Sequence, residues 1–286
     1  MSFAALASGL AARLRTFQRV SIALLLAAVP LHEARAWGTE GHSIVAEIAQ
    51  RQLTPAAAAK VRDILGGNIS LASVASWPDD VRLARPKTSN WHFVDIPLES
   101  GDYVPTRDCK ESPTKGDCAI KAIERNTKRL TDATASPLER KEALMFLVHF
   151  VGDLHQPLHT VKEFVGGNLL KVSFFVDPLQ KKRDNTNLHV VWDSLLIKAR
   201  FYDWGSCVAM LVDTWMPGKN LAELAKGSPV EWALEAHQIA KDVAFNEVEQ
   251  GDELGKEYLA AAAPLVDQQL ALAGIRLGRI LNETLK

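Results

Sequence analysis

Ser136-Pro-Leu-Glu-Arg-Lys-Glu-Ala-Leu-Met-Phe-Leu-Val-His149-Phe-Val-Gly-Asp153-Leu-His155-Gln-Pro157-Leu-His159 contains a helix start, a helix body, a helix stop and a set of metal-type side chains in one run. Ser136 followed three residues later by Glu139 reads as a capping box, with Pro137 at the first helical position, where its missing N–H costs nothing. From Ala143 to Val151 apolar residues recur at three- and four-residue steps, the period of an α-helix. Pro157 cannot continue that helix. His149 and Asp153 are four apart and share one face, so an imidazole and a carboxylate project toward a single point. The turn at Pro157 can bring His159 back beside them. Three histidines and a carboxylate within eleven residues, next to a helix stop, point to metal binding rather than to isolated core histidines.

The same helical period runs outward through Ile44 to Ile48, Val61 to Leu65, Ile120 to Leu130 and Leu259 to Leu281. Thr54-Pro55 and Ser228-Pro229-Val230-Glu231 give further helix starts, and Gly66-Gly67-Asn68 a further stop. Only Leu169 to Val176, after Gly166-Gly167-Asn168, looks extended; with Val190 and Trp192 nearby it is expected to form a short hairpin or irregular arm. No repeat, low-complexity tract or linker interrupts the pattern. The expected architecture is all-α, a single helical domain with a small extended arm.

Residues 1–36 read as a secretory signal: Arg13, Arg15 and Arg19 lead, Val20 to Leu31 is apolar, and Ala34-Arg35-Ala36 fits a small-x-small cleavage site. The apolar run is far short of the roughly 20 residues that span a bilayer. The expected product, residues 37–286, is therefore secreted or periplasmic, a monomer without stable membrane association. The whole chain has 33 basic and 34 acidic residues; losing the four arginines and one glutamate of the leader leaves a net charge of −4. That balance alone argues against an electrostatic nucleic-acid binder, but bound divalent cations would reverse it locally. Among the three cysteines, Cys109 and Cys118 enclose a short polar loop and are expected to pair, leaving Cys207 over. None has a zinc-finger spacing.

Further candidate ligands lie on both sides of the central run. His189-Val-Val-Trp192-Asp193 repeats the i, i+4 pairing of imidazole and carboxylate. Upstream, Ser76-Trp77-Pro78-Asp79-Asp80-Val81-Arg82 and Trp91-His92-Phe93-Val94-Asp95 add ligands flanked by tryptophans. Cleavage after Ala36 would make Trp37 the first residue, and its free amine and carbonyl could chelate a metal five residues before His42. The tally is Trp37, His42, Asp79, His92, His149, Asp153, His159, His189 and Asp193. At three or four N/O ligands per ion, that suits three zinc ions with one carboxylate shared.

The terminal Trp, the W-P-D-x-x-R, W-H-F-V-D and H-F-x-G-D-x-H-Q-P-L-H elements and Asn187-Leu-His189-Val-Val-Trp192-Asp193, in this order, resemble the S-one/P-one family of zinc-dependent single-strand-specific nucleases and 3′-nucleotidases. The resemblance implies the helical fold shared with zinc phospholipase C. It implies one zinc on Asp79, His92, His149 and an oxygen of Asp153, a second on Trp37, His42 and the other oxygen of Asp153, and a third on His159, His189 and Asp193. It further implies Arg82 as the arginine that stabilises the transition state, Phe93 and Asp95 as the base-binding pair, and Asn168 as a phosphate contact. Its substrates would be single-stranded DNA and RNA and 3′-nucleotides, cut at the P–O3′ bond to leave 5′-phosphates.

Two other functions compete. A zinc phospholipase C would share the scaffold, but Asp193 stands where that resemblance predicts Glu, and Phe93 and Asp95 suit a nucleobase. A secreted zinc-binding protein without catalysis would need closed coordination shells, against which Arg82 beside the proposed metal speaks. Outside the site, His155 reads as a supporting or loop-packing histidine, His237 as a helix-surface residue, and Trp204, Trp215 and Trp232 as core. Asn68-Ile-Ser70 and Asn282-Glu-Thr284 match glycosylation acceptors.

Overall fold

In the computed structural model the described residues are 37–175 and 184–286, so the leader and Val176, the end of the expected extended run, lie outside them. Helix α1 (Thr39–Arg51) starts just after Trp37, and α2 (Pro55–Leu65) follows with Thr54 accepting a hydrogen bond from the Ala57 amide at its N-cap. Gly66 ends α2 in the left-handed region, φ 87°, where the absence of a Cβ removes the steric cost. Two short helices, α3 (Leu71–Val74) and α4 (Trp77–Val81), lead into a 3₁₀ segment, Pro86–His92. Then come α5 (Pro105–Asp108), α6 (Ala119–Thr131) and α7 (Pro137–Leu154).

Helix α7 is the axis of the molecule. Its capping box forms as the sequence predicts, with Glu139 and Ser136 each accepting from the other's backbone amide. Every residue from Ala143 to Leu154 is buried. A helix enclosed on all sides lies at the centre of its domain, and here α1, α4, α6 and the C-terminal helix Lys256–Thr284 pack around it. His149 and Asp153 thus leave α7 into the interior, each with no solvent exposure.

Beyond a 3₁₀ turn at Pro157–Thr160, strand β1 (Lys171–Phe174) pairs antiparallel with β2 (Asp184–Asn187), Lys171 opposite Asn187. Two elements follow directly: α8 (Leu188–Val190) and a π-turn, Val191–Leu195. The chain continues through α9 (Leu196–Lys198), α10 (Trp204–Met210), α11 (Leu221–Leu224) and α12 (Pro229–Ile239), which has a second capping box at Ser228 and Glu231. A two-residue β3 (Glu253–Leu254) adds to the other side of β1 in parallel, and α13 (Lys256–Thr284) closes the chain against α1.

Three expectations are corrected. The extended run does pair as a hairpin, but with Asp184–Asn187 instead of the segment of Val190 and Trp192, which are helical or in the π-turn, and a third strand makes it the middle of a small sheet. The third strand comes from a distant, charge-rich segment with no alternating pattern to announce it. His237 is buried, 2% exposed, because its Nδ1–H donates to the Thr160 carbonyl (2.9 Å) and so ties α12 to the turn after α7. Of the three tryptophans read as core, Trp232 is buried, Trp215 half-buried, and Trp204 exposed at the start of α10. The described helices include none long and apolar enough to cross a membrane.

A candidate metal centre

Seven segments deliver side chains to one buried region. His42 comes from α1, Asp79 from α4, His92 from the end of the 3₁₀ segment, His149 and Asp153 from α7, His159 from the turn after α7, His189 from α8 and Asp193 from the π-turn. They form three groups able to hold a metal ion: His42, His149 and Asp153; Asp79, His92 and His149; His159, His189 and Asp193. In the second group His92 Nδ1 lies 3.5 Å from Asp79 Oδ1, and His149 Nε2 lies 3.6 Å from the same oxygen. Asp153 joins the first two. Its Oδ2 is 3.0 Å from His92 Nδ1 and 3.2 Å from His149 Nε2, and its Oδ1 is 3.3 Å from His42 Nε2. In the third group His189 Nε2 is 3.2 Å from both His159 Nε2 and Asp193 Oδ2.

The outer hydrogen bonds fix which ring nitrogen faces inward. His149, His159 and His189 each direct Nδ1 at a backbone carbonyl: Ala75 at 2.7 Å, His92 at 2.7 Å and Gly166 at 2.5 Å. A carbonyl only accepts, so Nδ1 carries the hydrogen and Nε2 of the neutral ring presents a lone pair. In their neutral rings His149, His159 and His189 thus turn Nε2 acceptors toward the carboxylates. Imidazole nitrogens and carboxylate oxygens crowd within 4.8 Å of one another in each group, an arrangement that calls for a cation or a proton among them. Asp79 Oδ1, Asp153 Oδ1 and both ring nitrogens of His42 are buried without a hydrogen bond of good geometry among the described residues. Donor type, burial and unsatisfied atoms all fit a metal ion held by N and O ligands.

The electrostatics make the same demand for positive charge. Burial opposes a charge on His149, but Asp153 and Asp79 outweigh it and push its pKa up to about 9. Burial alone would raise Asp153, yet His149 and hydrogen bonds from the surrounding imidazoles hold it well below the usual carboxylate range. His159 is pushed down to about 3 by burial, against the pull of Asp153, and so stays neutral. Burial raises Asp193, with Gln156 working the other way.

Around this centre stand the other expected residues. Trp37 is fully buried. Its indole packs where Gly41 and Gly152 leave room: a Cβ on Gly41 would lie 2.8 Å from Trp37 Cβ, and one on Gly152 would lie 3.0 Å from His42 Nδ1. The neighbouring Gly38 amide donates to the Asp193 carbonyl (2.9 Å), joining the segment after Trp37 to the third group. Arg82, three residues after Asp79, donates from Nη2 to the Ser89 carbonyl (3.0 Å).

Phe93 and Asp95 sit on a short extended segment laced on both sides. Val94 donates to the His159 carbonyl (2.8 Å) and Lys162 to that of Ile96 (3.0 Å); on the other side Asp95 donates to Asp108 (3.1 Å) and Ala119 to Phe93 (3.0 Å). The Cys109–Cys118 disulfide, formed as expected, links the residues next to those last two contacts. Phe93 is half-buried and Asp95 exposed. Desolvation at the Asp95 carboxyl nevertheless raises its pKa; Lys162 opposes this, and Asp108 and Glu163 add to it. The Asn168 amide donates to the Val165 carbonyl (2.8 Å), which makes it the brace of the Gly166-Gly167 loop.

One participant was missed by sequence reasoning. Gln156 is fully buried; its Nε2 donates to Asp193 Oδ1 and its Oε1 accepts from the Leu158 amide, both at 2.5 Å. The only signal was a polar residue between His155 and the helix-stopping Pro157. His155 itself packs as expected, buried between the Val151 carbonyl (2.7 Å) and Arg276 Nη1 (2.9 Å).

A helical scaffold that gathers histidines and aspartates from distant segments into three buried groups defines a metal-binding class of protein. The S1/P1 Nuclease family model matches residues 37–286, and this chain belongs to that family. It is 34% identical over 286 residues to Endonuclease 2 of Arabidopsis thaliana, covering 92% of this chain and 94% of that protein. It is 32% identical to Nuclease P1 of Penicillium citrinum (86% and 97% covered) and 28% identical to Nuclease S1 of Aspergillus oryzae (86% and 91%). The protein is a nuclease, an enzyme that hydrolyses nucleic acid.

Proposed function

We propose that this chain is an exported three-zinc endonuclease and 3′-nucleotidase that hydrolyses single-stranded DNA and RNA at the P–O3′ bond, leaving 5′-phosphates. The observation that carries the reading is the convergence of three buried His/Asp groups, with backbone carbonyls turning Nε2 of His149, His159 and His189 inward. Asp79, His92, His149 and one oxygen of Asp153 would hold one ion. The Trp37 amine and carbonyl, His42 and the other Asp153 oxygen would hold a second, which requires cleavage after Ala36. His159, His189 and Asp193 would hold the third. Zinc bound there supplies Lewis acidity and a water acidic enough to act as a nucleophile at neutral pH.

The protein's own groups do the rest. Arg82, anchored on Ser89, places a guanidinium three residues from Asp79, suited to the charge that develops on phosphoryl oxygens. The half-buried ring of Phe93 offers one face to a base, and Asp95 accepts hydrogen bonds from its edge. A base can stack there only after leaving its own helix, which favours single strands. Asn168, whose side-chain amide also braces the Val165 carbonyl, would add a phosphate contact.

The test is to export the full chain, determine its first residue, measure bound metal by atomic spectroscopy and assay single-stranded DNA, RNA and 3′-AMP. Trp37 first, about three zinc equivalents and turnover of all three substrates are expected. Asp153→Ala should lower the metal content by more than one equivalent. Full occupancy in that variant, lecithin turnover without RNA turnover, or intact nucleic acid with zinc fully bound would overturn the reading.

A further inference from the structure

The candidate ligands end at Asp193, yet the C-terminal helix α13 reaches back to two of the segments that shape the third group. Near the start of α13 the Tyr258 hydroxyl accepts from Trp192 Nε1 (2.7 Å) and donates to the Ala244 carbonyl (3.0 Å). Trp192 is fully buried and precedes Asp193 in the π-turn, so the indole N–H has this oxygen in place of water. Farther along α13, Arg276 is 4% exposed; it donates from Nη1 to His155 Nε2 (2.9 Å) and pairs through Nη2 with Glu235 (2.7 Å). His155 gives its Nδ1–H to the Val151 carbonyl (2.7 Å), so both ring nitrogens are used and neither is left for a metal.

The two ties end on the two sides of one hydrogen bond. Trp192 precedes Asp193, His155 precedes Gln156, and Gln156 Nε2 donates to Asp193 Oδ1 (2.5 Å). Burial alone would be served as well by apolar side chains, because taking a guanidinium out of water is costly. What the phenol and the guanidinium add is direction. We propose that Tyr258 and Arg276 are positioning residues for the third metal group: acting through Trp192 and His155, they hold both sides of the Gln156–Asp193 bond and so aim the Asp193 carboxylate at His159 and His189. This rests on the three-ion reading above. Retention of the third ion then depends on the C-terminal helix, while the two ions that share Asp153 do not need these ties.

The experiment measures zinc bound by the exported, processed protein at a series of buffered free-zinc concentrations. The wild type should fill three sites. Tyr258→Phe deletes one oxygen and strands the Trp192 N–H, and should move the filling of a single site to about tenfold higher free zinc. Arg276→Met keeps the length of the side chain, removes its donors and should move the same site by a similar factor. His189→Ala already lacks the third site, so adding Tyr258→Phe to it should leave the two remaining ions as tightly held as before. Tyr258→Phe keeps the ring and decides the matter should Arg276→Met fail to fold. Three sites filling as in the wild type in Tyr258→Phe overturns the positioning role. So does a further loss of zinc when Tyr258→Phe is added to His189→Ala, which would make α13 a general support of the fold. A wild type that takes up no third ion overturns the three-ion reading instead.

Discussion

His149, His159 and His189 share one device: a backbone carbonyl holds Nδ1–H, and the lone pair on Nε2 is aimed inward. The carbonyls come from Ala75, His92 and Gly166, residues whose side chains give no hint of it. The His149/Asp153 and His189/Asp193 pairs were legible because imidazole and carboxylate at i, i+4 share a helix face, whereas the supports depend on tertiary contacts that spacing does not encode. Gln156 is the clearest case. Replacing it with Leu leaves a buried Asp193 oxygen without its donor. Gln156→Leu should therefore bind about one metal equivalent fewer than wild type in equilibrium dialysis, and unchanged stoichiometry would show that Gln156 does not position Asp193. Asp95 gives a pH prediction. Its pKa is raised, so it takes up a proton at higher pH than an ordinary aspartate and then loses acceptor capacity. The KM penalty of Asp95→Ala for 3′-nucleotides should be large at neutral pH and shrink as acid neutralises the wild-type carboxylate. A penalty constant across that range would remove Asp95 from base recognition.

At the level of elements, α7 was readable end to end: cap, period and stop all lie within Ser136 to Pro157. The small sheet was not, since β3 is two residues long and far from β1 in sequence. The π-turn at Val191–Leu195 was equally hidden; it carries Asp193 yet keeps that carboxylate 3.2 Å from His189. The contact of α1 with α13 rests on small residues. A Cβ on Gly274 would lie 2.5 Å from Ile48 Cγ2, 2.6 Å from Ile48 Cβ and 3.0 Å from the Val45 carbonyl. Alanine is the better helix former by about 1 kcal/mol, but overpacking of this kind costs about 1–3 kcal/mol. Gly274→Ala should lower the urea midpoint, and because α1 carries His42, it should also weaken metal retention. A raised midpoint would mean the helices separate without penalty.

Across the whole molecule, the candidate ligands are spread from residue 42 to residue 193 and meet only when the fold is complete. Ions bound to the native state alone stabilise it by mass action, about 2.7 kcal/mol for one site at a hundredfold excess over its dissociation constant. Chelation should lower the thermal midpoint by several degrees, and added zinc should restore it. An unchanged midpoint would mean that the acceptor groups tolerate their mutual repulsion. Fold class was legible from local periodicity, and the His149/Asp153 and His189/Asp193 pairs from spacing; the way distant segments are tied around the centre was not.

One such tie is the Cys109–Cys118 bridge, whose neighbours Asp108 and Ala119 grip the backbone of Asp95 and Phe93. With the bridge reduced, only backbone hydrogen bonds would join Asp108 and Ala119 to that segment. Reductant should therefore loosen the Phe93–Asp95 segment first and leave in place the metal-type side chains, none of which lies between the two cysteines.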